Sequence, residues 1–242
     1  MKFHPDKCKV MHLGRTNTHQ NYIMRKPDGT MHTLDVTNEE KDLGIIVDNK
    51  LSFKAHINNS ANKANRILGM IRRTFTHLDK DILNPLYKCL VRPHLEYASC
   101  VWSPAPQYLK DKLENVQRRA TKLVPQLKDK PYEERLRILK LPSLCYRRRR
   151  SDIIQMYKVV KKIDSISSNS MFTPNRLSTS RGHKLKMQVH HAKGTRSRFF
   201  STRSIPVWNG LSAKTVTAQS INHLKNALAE ERQEKQLVYT RF

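Results

Sequence analysis

Residues 41–56 read Lys-Asp-Leu-Gly-Ile-Ile-Val-Asp-Asn-Lys-Leu-Ser-Phe-Lys-Ala-His. The run of Leu, Ile and Val at residues 43–47 is typical of a β-strand. From Phe53 onward, apolar residues recur at steps of three and four, which is typical of one face of an α-helix. The stretch therefore predicts that a β-rich domain ends, and a helical domain begins, near residue 51.

The residues before this stretch also carry β signals. Residues 7–13 form a short apolar-rich run, and Pro27, Asp28 and Gly29 form a turn signal. We therefore expect a first domain at residues 1–51 that contains a small antiparallel β-hairpin region. An ordinary antiparallel sheet edge would explain the same residues equally well.

Helical periodicity dominates the second predicted domain, residues 52–164. Pro93 predicts a kink or a break, and Ser143 is placed to cap the helix that follows it. We expect a compact helical bundle in which the apolar stripes form the core. The first stripe consists of Phe53, Ile57, Ala61, Ala64, Leu68, Ile71, Phe75 and Leu78.

The third predicted domain, residues 165–242, begins within a serine-rich linker at residues 163–170 and continues as a basic C-terminal module. Residues 165–229 contain ten Lys and Arg and no Asp or Glu. We expect a small basic module with one β-hairpin and one or two helices, which makes the predicted fold class α+β. The expected elements are strands at residues 183–189 and 196–200 and a closing helix at residues 222–234.

The charge balance of the 242-residue chain points to a polyanionic partner. It has 46 Lys and Arg against 20 Asp and Glu, a net charge of +26. Each phosphate that such a surface neutralises releases condensed counterions, so nucleic acid is the first interpretation and an anionic membrane surface the weaker one. No run of about 18 apolar residues occurs, so we expect no membrane-spanning helix.

The cysteines suggest a reducing compartment. They lie far apart, without a Cys-x-x-Cys pair, and no secretory or organellar leader is visible. We therefore expect free thiols in an intracellular protein, nuclear or cytoplasmic and not secreted. The four are Cys8, Cys89, Cys100 and Cys145.

Basic residues are the best candidates for a binding site. Four successive arginines at residues 147–150 cover a full helical turn, so at least two must face solvent or a ligand. We favour contact with backbone phosphates over a solvated helix face or a nuclear-import signal. The candidate set is Lys54, Lys63, Arg66, Arg72, Arg73, Arg118, Arg119, Lys122, Arg147, Arg148, Arg149, Arg150, Arg196, Arg198 and Arg203.

Four aromatic residues could stack on unpaired bases. Trp102 is the weakest candidate, because its apolar neighbours favour a place in the core. Phe199 and Phe200 lie among arginines, so that one of the two could face outward beside basic residues. Trp208 is the fourth.

Six strings occur in a fixed order along nearly the whole chain. They are Phe-x-Pro-x-Lys-Cys at 3–8, Asp-Leu-Gly-Ile-Ile-Val-Asp at 42–48, Leu-Val-Arg-Pro-His-Leu-Glu-Tyr-Ala-Ser-Cys-Val-Trp-Ser-Pro at 90–104, Leu-Glu-Asn-Val-Gln-Arg-Arg-Ala-Thr-Lys-Leu at 113–123, Leu-Lys-Leu-Pro-Ser-Leu at 139–144 and Arg-Ser-Ile-Pro-Val-Trp-Asn-Gly-Leu at 203–211. Together they resemble the post-catalytic part of a non-LTR retrotransposon (LINE) reverse transcriptase of the jockey or CR1 type.

The resemblance implies a role for each domain. The first would be the end of the palm, where Leu43 and Gly44 belong to a primer-grip hairpin that holds the 3′ end of the primer. The second would be the thumb, which follows the template–primer duplex through its backbone. The implied partners are RNA, DNA or an RNA–DNA duplex and the palm and fingers of a full-length polymerase. A glycine within a strand, as Gly44 is expected to be, marks either a close approach of another backbone or a β-bulge.

The sequence offers no catalytic centre of its own. Polymerase chemistry needs two divalent ions held by clustered carboxylates, and the chain has no Asp-Asp pair. His4, Cys8 and His12 are spaced by four residues, but neither a strand nor a helix broken by Pro5 would direct them at one ion. We expect no catalytic residue, no metal site and no cofactor here, since Mg²⁺ would belong to the catalytic palm. The adjacent acids are Glu39-Glu40, Glu133-Glu134 and Glu230-Glu231.

Three hypotheses follow, and they leave open whether the chain is an enzyme. The first is a fragment of an RNA-directed DNA polymerase that binds template–primer nucleic acid and is inactive alone. The second is a non-catalytic nucleic-acid-binding or scaffold protein derived from a mobile element. The third is an active enzyme whose aspartates lie upstream of Met1.

Overall fold

The computed structural model describes residues 4–14, 16–166, 171–175 and 182–234. The chain forms two compact units, Met1–His56 and Ile57–Phe242. Short strands characterise the first unit and helices the second, which confirms the predicted α+β class. Within the described ranges, no helix is both long enough and apolar enough to cross a membrane.

The described part of the first unit contains three two-stranded sheets. Strands β1 and β4 pair in parallel, whereas β2 with β3 and β5 with β6 are antiparallel hairpins. The predicted turn at Pro27, Asp28 and Gly29 joins β2 to β3, and the strand predicted at residues 7–13 shortens to β1. The strands are β1 (Lys9–Val10), β2 (Ile23–Arg25), β3 (Met31–Thr33), β4 (Asp35–Val36), β5 (Glu39–Asp42) and β6 (Ile45–Asp48).

Leu43 and Gly44 form the two-residue turn between β5 and β6. Their φ angles are +44° and +87°, and Asp42 lies opposite Ile45 across the hairpin. Positive φ at both central residues is what a type I′ turn requires, and glycine adopts it without steric cost. The expectation that Gly44 lies within a strand is therefore wrong, because β6 begins one residue later.

Asp48 joins β6 to the first helix. Its carboxylate accepts hydrogen bonds from the backbone N–H groups of Lys50 (3.0 Å), Ser52 (3.1 Å) and Phe53 (2.7 Å). Burial alone would raise the pKa of Asp48, but these donors outweigh burial and hold the pKa below its ordinary value. The N–H of Ile46 also donates to Nδ1 of His56, at 3.3 Å, and so fixes the first turn of the helix against β6.

The second unit is built from helices, of which the first begins at the end of the first unit. A π-helical turn, Tyr87–Val91, joins α2 to α3. The helices are α1 (Lys54–Thr74), α2 (Lys80–Leu86), α3 (Arg92–Glu96), α4 (Ser99–Trp102), α5 (Gln107–Thr121), α6 (Tyr132–Leu139), α7 (Leu144–Val160), α8 (Phe200–Asn209), α9 (Ala213–Val216) and α10 (Ile221–Glu234).

The apolar stripes form the core, as predicted. Most members of the first stripe are buried on α1 or just after it, from Ile57 to Leu78, and only Phe75 among the later ones is exposed. Ser143 caps α7, because its Oγ accepts a hydrogen bond from the N–H of Tyr146 at 3.2 Å. Each such cap satisfies a helix donor that would otherwise lack a partner.

The break in the helix that the sequence predicted at Pro93 does not occur. It lies in the first turn of α3, directly after the π-helical turn. A proline there lacks an N–H that the first turn does not need, so the helical path continues through it. The helix ends at Glu96, and Ala98, whose φ is +48°, lies directly before α4.

The prediction of a C-terminal β-hairpin is wrong. Residues Gly194–Arg198 form a 3₁₀ turn and Phe200 starts α8, and within residues 171–175 and 182–234 the one β contact is an isolated bridge between Pro174 and Met187. The alternating pattern at residues 196–200 is only five residues long, and so short a pattern also fits the start of a helix. The buried residues Ile205 and Trp208 supply the helical period that decides the outcome.

The C-terminal helices share a core with α7, so the structure does not separate them at residue 165. Trp208 is fully buried, and it packs in one cluster with Met156 and Tyr157 of α7 and with Leu224 and Leu228 of α10. The predicted closing helix is confirmed as α10. Of the predicted linker, residues 167–170 lie outside the described residues, as does Phe3 of the first string.

Candidate nucleic-acid interface

An open groove of about 770 Å³ lies between the C-terminal parts of α1 and α5. Its charged side chains are all basic: Arg72 from α1, Arg119 from α5, and Lys122 and Lys128 from the segment that follows α5. We call it the α1–α5 groove. The other lining residues are Asn65, Leu68, Gly69, Phe75, Thr76, Leu78, Leu123 and Pro125.

Two hydrogen bonds hold α1 and α5 together. Lys112 Nζ donates to Asn58 Oδ1 at 2.6 Å, and Arg119 Nη1 donates to Asn65 Oδ1 at 3.3 Å. Both pairs are separated by 54 residues in sequence, so α1 and α5 run parallel in a fixed register. Both helices therefore end at the groove.

The helical period explains why these cations face outward. On α5, Leu113, Val116 and Ala120 point into the core, which leaves Arg119 about a quarter turn away from the buried stripe. Arg72 has the same relation to the buried stripe of α1. Cations in the last turn also complement the negative end of the helix dipole, so the same residues stabilise the helix ends.

Three further exposed cations lie on α1. Arg66 and Arg73 are seven residues apart and share one face, next to the face of Arg72, and they extend the basic surface beyond the groove. Lys63 is also exposed, but it lies half a turn around α1 from Arg72 and interacts electrostatically with His94 of α3. Lys54, Leu43 and Gly44 belong to the first unit, where all three are exposed.

Most arginines of the run on α7 are buried or make contacts inside the protein, which the sequence did not predict. Arg147 forms a two-point ion pair with Glu96, in which Nη2 lies 2.8 Å from Oε2. Arg148 is buried, at 3% exposure, and Arg150 is half-buried with Nη2 3.4 Å from the carbonyl of Lys225. Of the four arginines, only Arg149 is exposed. The reason is that α7 packs against helices on several sides.

Two more candidates are held by internal partners. Arg118 lies over the ring of Tyr132, 4.5 Å from its centroid. Arg203 makes a two-point ion pair with Asp152, with both N···O distances at 2.9 Å. Arg196 and Arg198, by contrast, are exposed in the 3₁₀ turn before α8.

The aromatic candidates divide between core and surface. Trp102 and Trp208 are buried, at 1% and 0% exposure, so the expected stacking of Trp208 on bases is wrong and the core assignment of Trp102 is confirmed. Phe200 packs edge-on against Phe172, with ring centroids 5.9 Å apart. Phe199 is 44% exposed and keeps its place beside the basic turn.

The carboxylates do not converge. Glu40 pairs with Lys9 at 2.8 Å, Glu134 pairs with Lys130, and Glu230 pairs with Lys214 at 3.1 Å. In the part of the chain that the structure describes, no three His, Cys, Asp or Glu residues are grouped so as to hold a metal ion. The thiol of Cys8 donates to the carbonyl of His4 at 3.4 Å instead.

Sequence reasoning missed a buried polar network that fixes the base of α5. Tyr132 donates to Glu114 at 2.5 Å, and the N–H of Leu144 donates to the same carboxylate at 3.1 Å. Gln117 accepts from Tyr87 at 2.7 Å and donates to Tyr132 at 3.1 Å. The sequence signal for this network was the position of Glu114 and Gln117, which lie next to the apolar stripe of α5 and not opposite it.

The pH dependence of this network gives a prediction. Burial raises the pKa of Glu114 above its ordinary value near 4.5, and the donors around it offset burial only in part. Because the folded-state pKa is raised, the stability that protonated Glu114 contributes is fully present below pH 4.5 and is lost as pH rises through the folded value. Urea unfolding should show wild type losing stability relative to E114Q between pH 4 and pH 7. A difference between the two proteins that stays constant with pH would contradict this assignment.

Comparison of the chain with protein-family models, curated proteins and solved structures finds no match.

Proposed function

We propose that this chain binds nucleic acid through backbone phosphates at the α1–α5 groove. The observation that carries the proposal is that every charged side chain lining the groove is a cation. Phosphate contacts need cationic donors at a surface that a strand can reach, and they carry no base information. The net charge of +26 supports the same partner.

The sequence resemblance adds a role to this binding. We propose that the helical region at residues 52–164 acts as the thumb of a LINE-type RNA-directed DNA polymerase and follows a template–primer duplex, with the β5–β6 hairpin as the primer grip. Mg²⁺ and the catalytic aspartates would be supplied by the palm and fingers. Four free cysteines are compatible with the reducing interior of a cell, nucleus or cytoplasm, as the place of action.

A non-catalytic binding or scaffold protein derived from a mobile element is the second candidate function. The exposed cations of the groove support this function as much as the role of a polymerase thumb, because neither mode of binding requires a catalytic step. Primer extension with purified chain, a primed RNA template and Mg²⁺ separates both from an active polymerase: template-dependent synthesis by the chain alone would favour the enzyme.

The binding proposal predicts that groove cations act without regard to sequence. R119A should weaken binding to RNA–DNA duplexes of three unrelated sequences by the same factor, measured by fluorescence anisotropy, because a phosphate contact is lost in each. N65A is the matched control, since it removes the same interhelical hydrogen bond but keeps the charge, and it should bind like wild type. A loss confined to one sequence, or equal losses in R119A and N65A, would contradict the proposal.

A further inference from the structure

A second cavity, of about 390 Å³, lies in the same unit but shares no lining residue with the α1–α5 groove. It is enclosed by the loop between α4 and α5, by α7, and by the 3₁₀ turn and first turns of α8. We call it the arginine pocket. Its lining residues include Lys110, Cys145, Arg148, Arg149, Asp152, Arg198 and Arg203.

The pocket has a large excess of positive charge. Five cationic side chains line it against one carboxylate, that of Asp152. Both oxygens of Asp152 are already engaged by Arg203, at 2.9 Å each. The lining therefore holds no second carboxylate to set against Lys110, Arg148 and Arg198.

Arg148 is the distinctive member. It is 3% exposed, and its Nη1 is buried without a hydrogen-bond partner in the described structure. Burial lowers the pKa of Arg148, while Glu114, Glu96 and Asp152 act on it only through longer-range attraction. An arginine side chain does not lose its proton in a protein, so a buried donor of this kind is costly unless an acceptor reaches it.

We propose that the arginine pocket binds a phosphoryl group, with Arg148 as the buried donor and Lys110, Arg149 and Arg198 around it. Guanidinium groups match phosphate oxygens with paired N–H donors, and a phosphate supplies both the missing acceptor and the missing negative charge. The cavity volume lies in the range of small-molecule sites, roughly 300–1,000 Å³. The ligand is therefore a small phosphorylated compound or the phosphorylated end of a strand, not the side of a duplex.

The site is independent of the function proposed for the groove, and the two can be tested apart. Pyrophosphate is the first probe, added to the full-length chain at constant ionic strength. We expect the melting temperature of wild type to rise with pyrophosphate concentration, and R149Q/R198Q to need more than tenfold more pyrophosphate for the same rise. The control variant K161Q/K184Q carries the same loss of charge at exposed lysines that line neither cavity, and it should respond like wild type.

Arg148 itself gives a second readout. In buffer without phosphate, R148M should melt at or above wild type, because a buried unpaired charge is replaced by an apolar side chain of similar length. With pyrophosphate present the order should reverse, since only wild type gains from the ligand. The proposal is overturned if wild type shows no rise with pyrophosphate, or if R149Q/R198Q responds as wild type does.

The source of the phosphoryl group is decided by competition. A short single-stranded oligonucleotide with a 5′-phosphate and its unphosphorylated twin are added to wild type. If only the phosphorylated strand competes with pyrophosphate, the pocket binds strand ends. If neither competes while pyrophosphate still binds, the ligand is a small phosphorylated compound. Equal competition by both strands would overturn recognition of a phosphoryl group.

Discussion

The affinity of this chain for an RNA–DNA duplex should fall roughly a thousand- to ten-thousand-fold between 50 and 200 mM salt. The reason is the number of exposed cations at and beside the groove: four line the α1–α5 groove, and Arg66 and Arg73 lie on the adjoining face of α1. About six phosphate contacts give a slope near −5 in a plot of log affinity against log salt. Filter binding or anisotropy at five salt concentrations measures this slope.

The triple variant R72Q/R119Q/K122Q tests whether the groove is responsible. It should reduce the slope by about 2.7, which is what three lost phosphate contacts are worth. The control K161Q/K184Q/K214Q removes the same charge from exposed lysines that do not line the groove. Equal changes of slope in the two triple variants would show that total charge, and not the groove, governs binding.

The sequence predicts helices well where one apolar stripe is long. On α1 and α5 the stripe continues over several turns, so the buried and exposed faces follow from the period alone, and with them the positions of Arg72 and Arg119. Residues 196–200 fail for the opposite reason, because five residues carry too little periodic information to separate a strand from the first turn of a helix. The tertiary contacts of Trp208 decided that case.

The fate of single arginines could not be predicted, because it depends on partners distant in sequence. Arg147 and Glu96 are 51 residues apart, as are Arg203 and Asp152. A run of arginines has the same appearance in sequence whether its members bind phosphate or pair inside the protein. The same limit hid the arginine pocket, which combines residues from α5, α7 and the turn before α8.

The ion pair between Asp152 and Arg203 should be the most sensitive polar contact of the second unit. The side chains are 8% and 18% exposed, and Arg203 Nη1 also donates to the carbonyl of Arg198 at 2.8 Å. The contact joins α7 to α8 and the turn before it. D152A should lower the free energy of unfolding by about 3–5 kcal/mol, because it leaves a largely buried guanidinium without its carboxylate.

The double variant D152L/R203M should recover much of that loss. Burial raises the pKa of Asp152 by more than Arg203 lowers it, so the pair gains little beyond its own desolvation cost, and two apolar side chains can replace it. E230A is the control, because Glu230 and Lys214 are 61% and 79% exposed and an exposed pair changes stability by less than about 1 kcal/mol. Urea unfolding measures all three variants. If D152A is no more destabilising than E230A, the pair does not hold α8 to α7, and the C-terminal helices must depend on the apolar cluster around Trp208 alone.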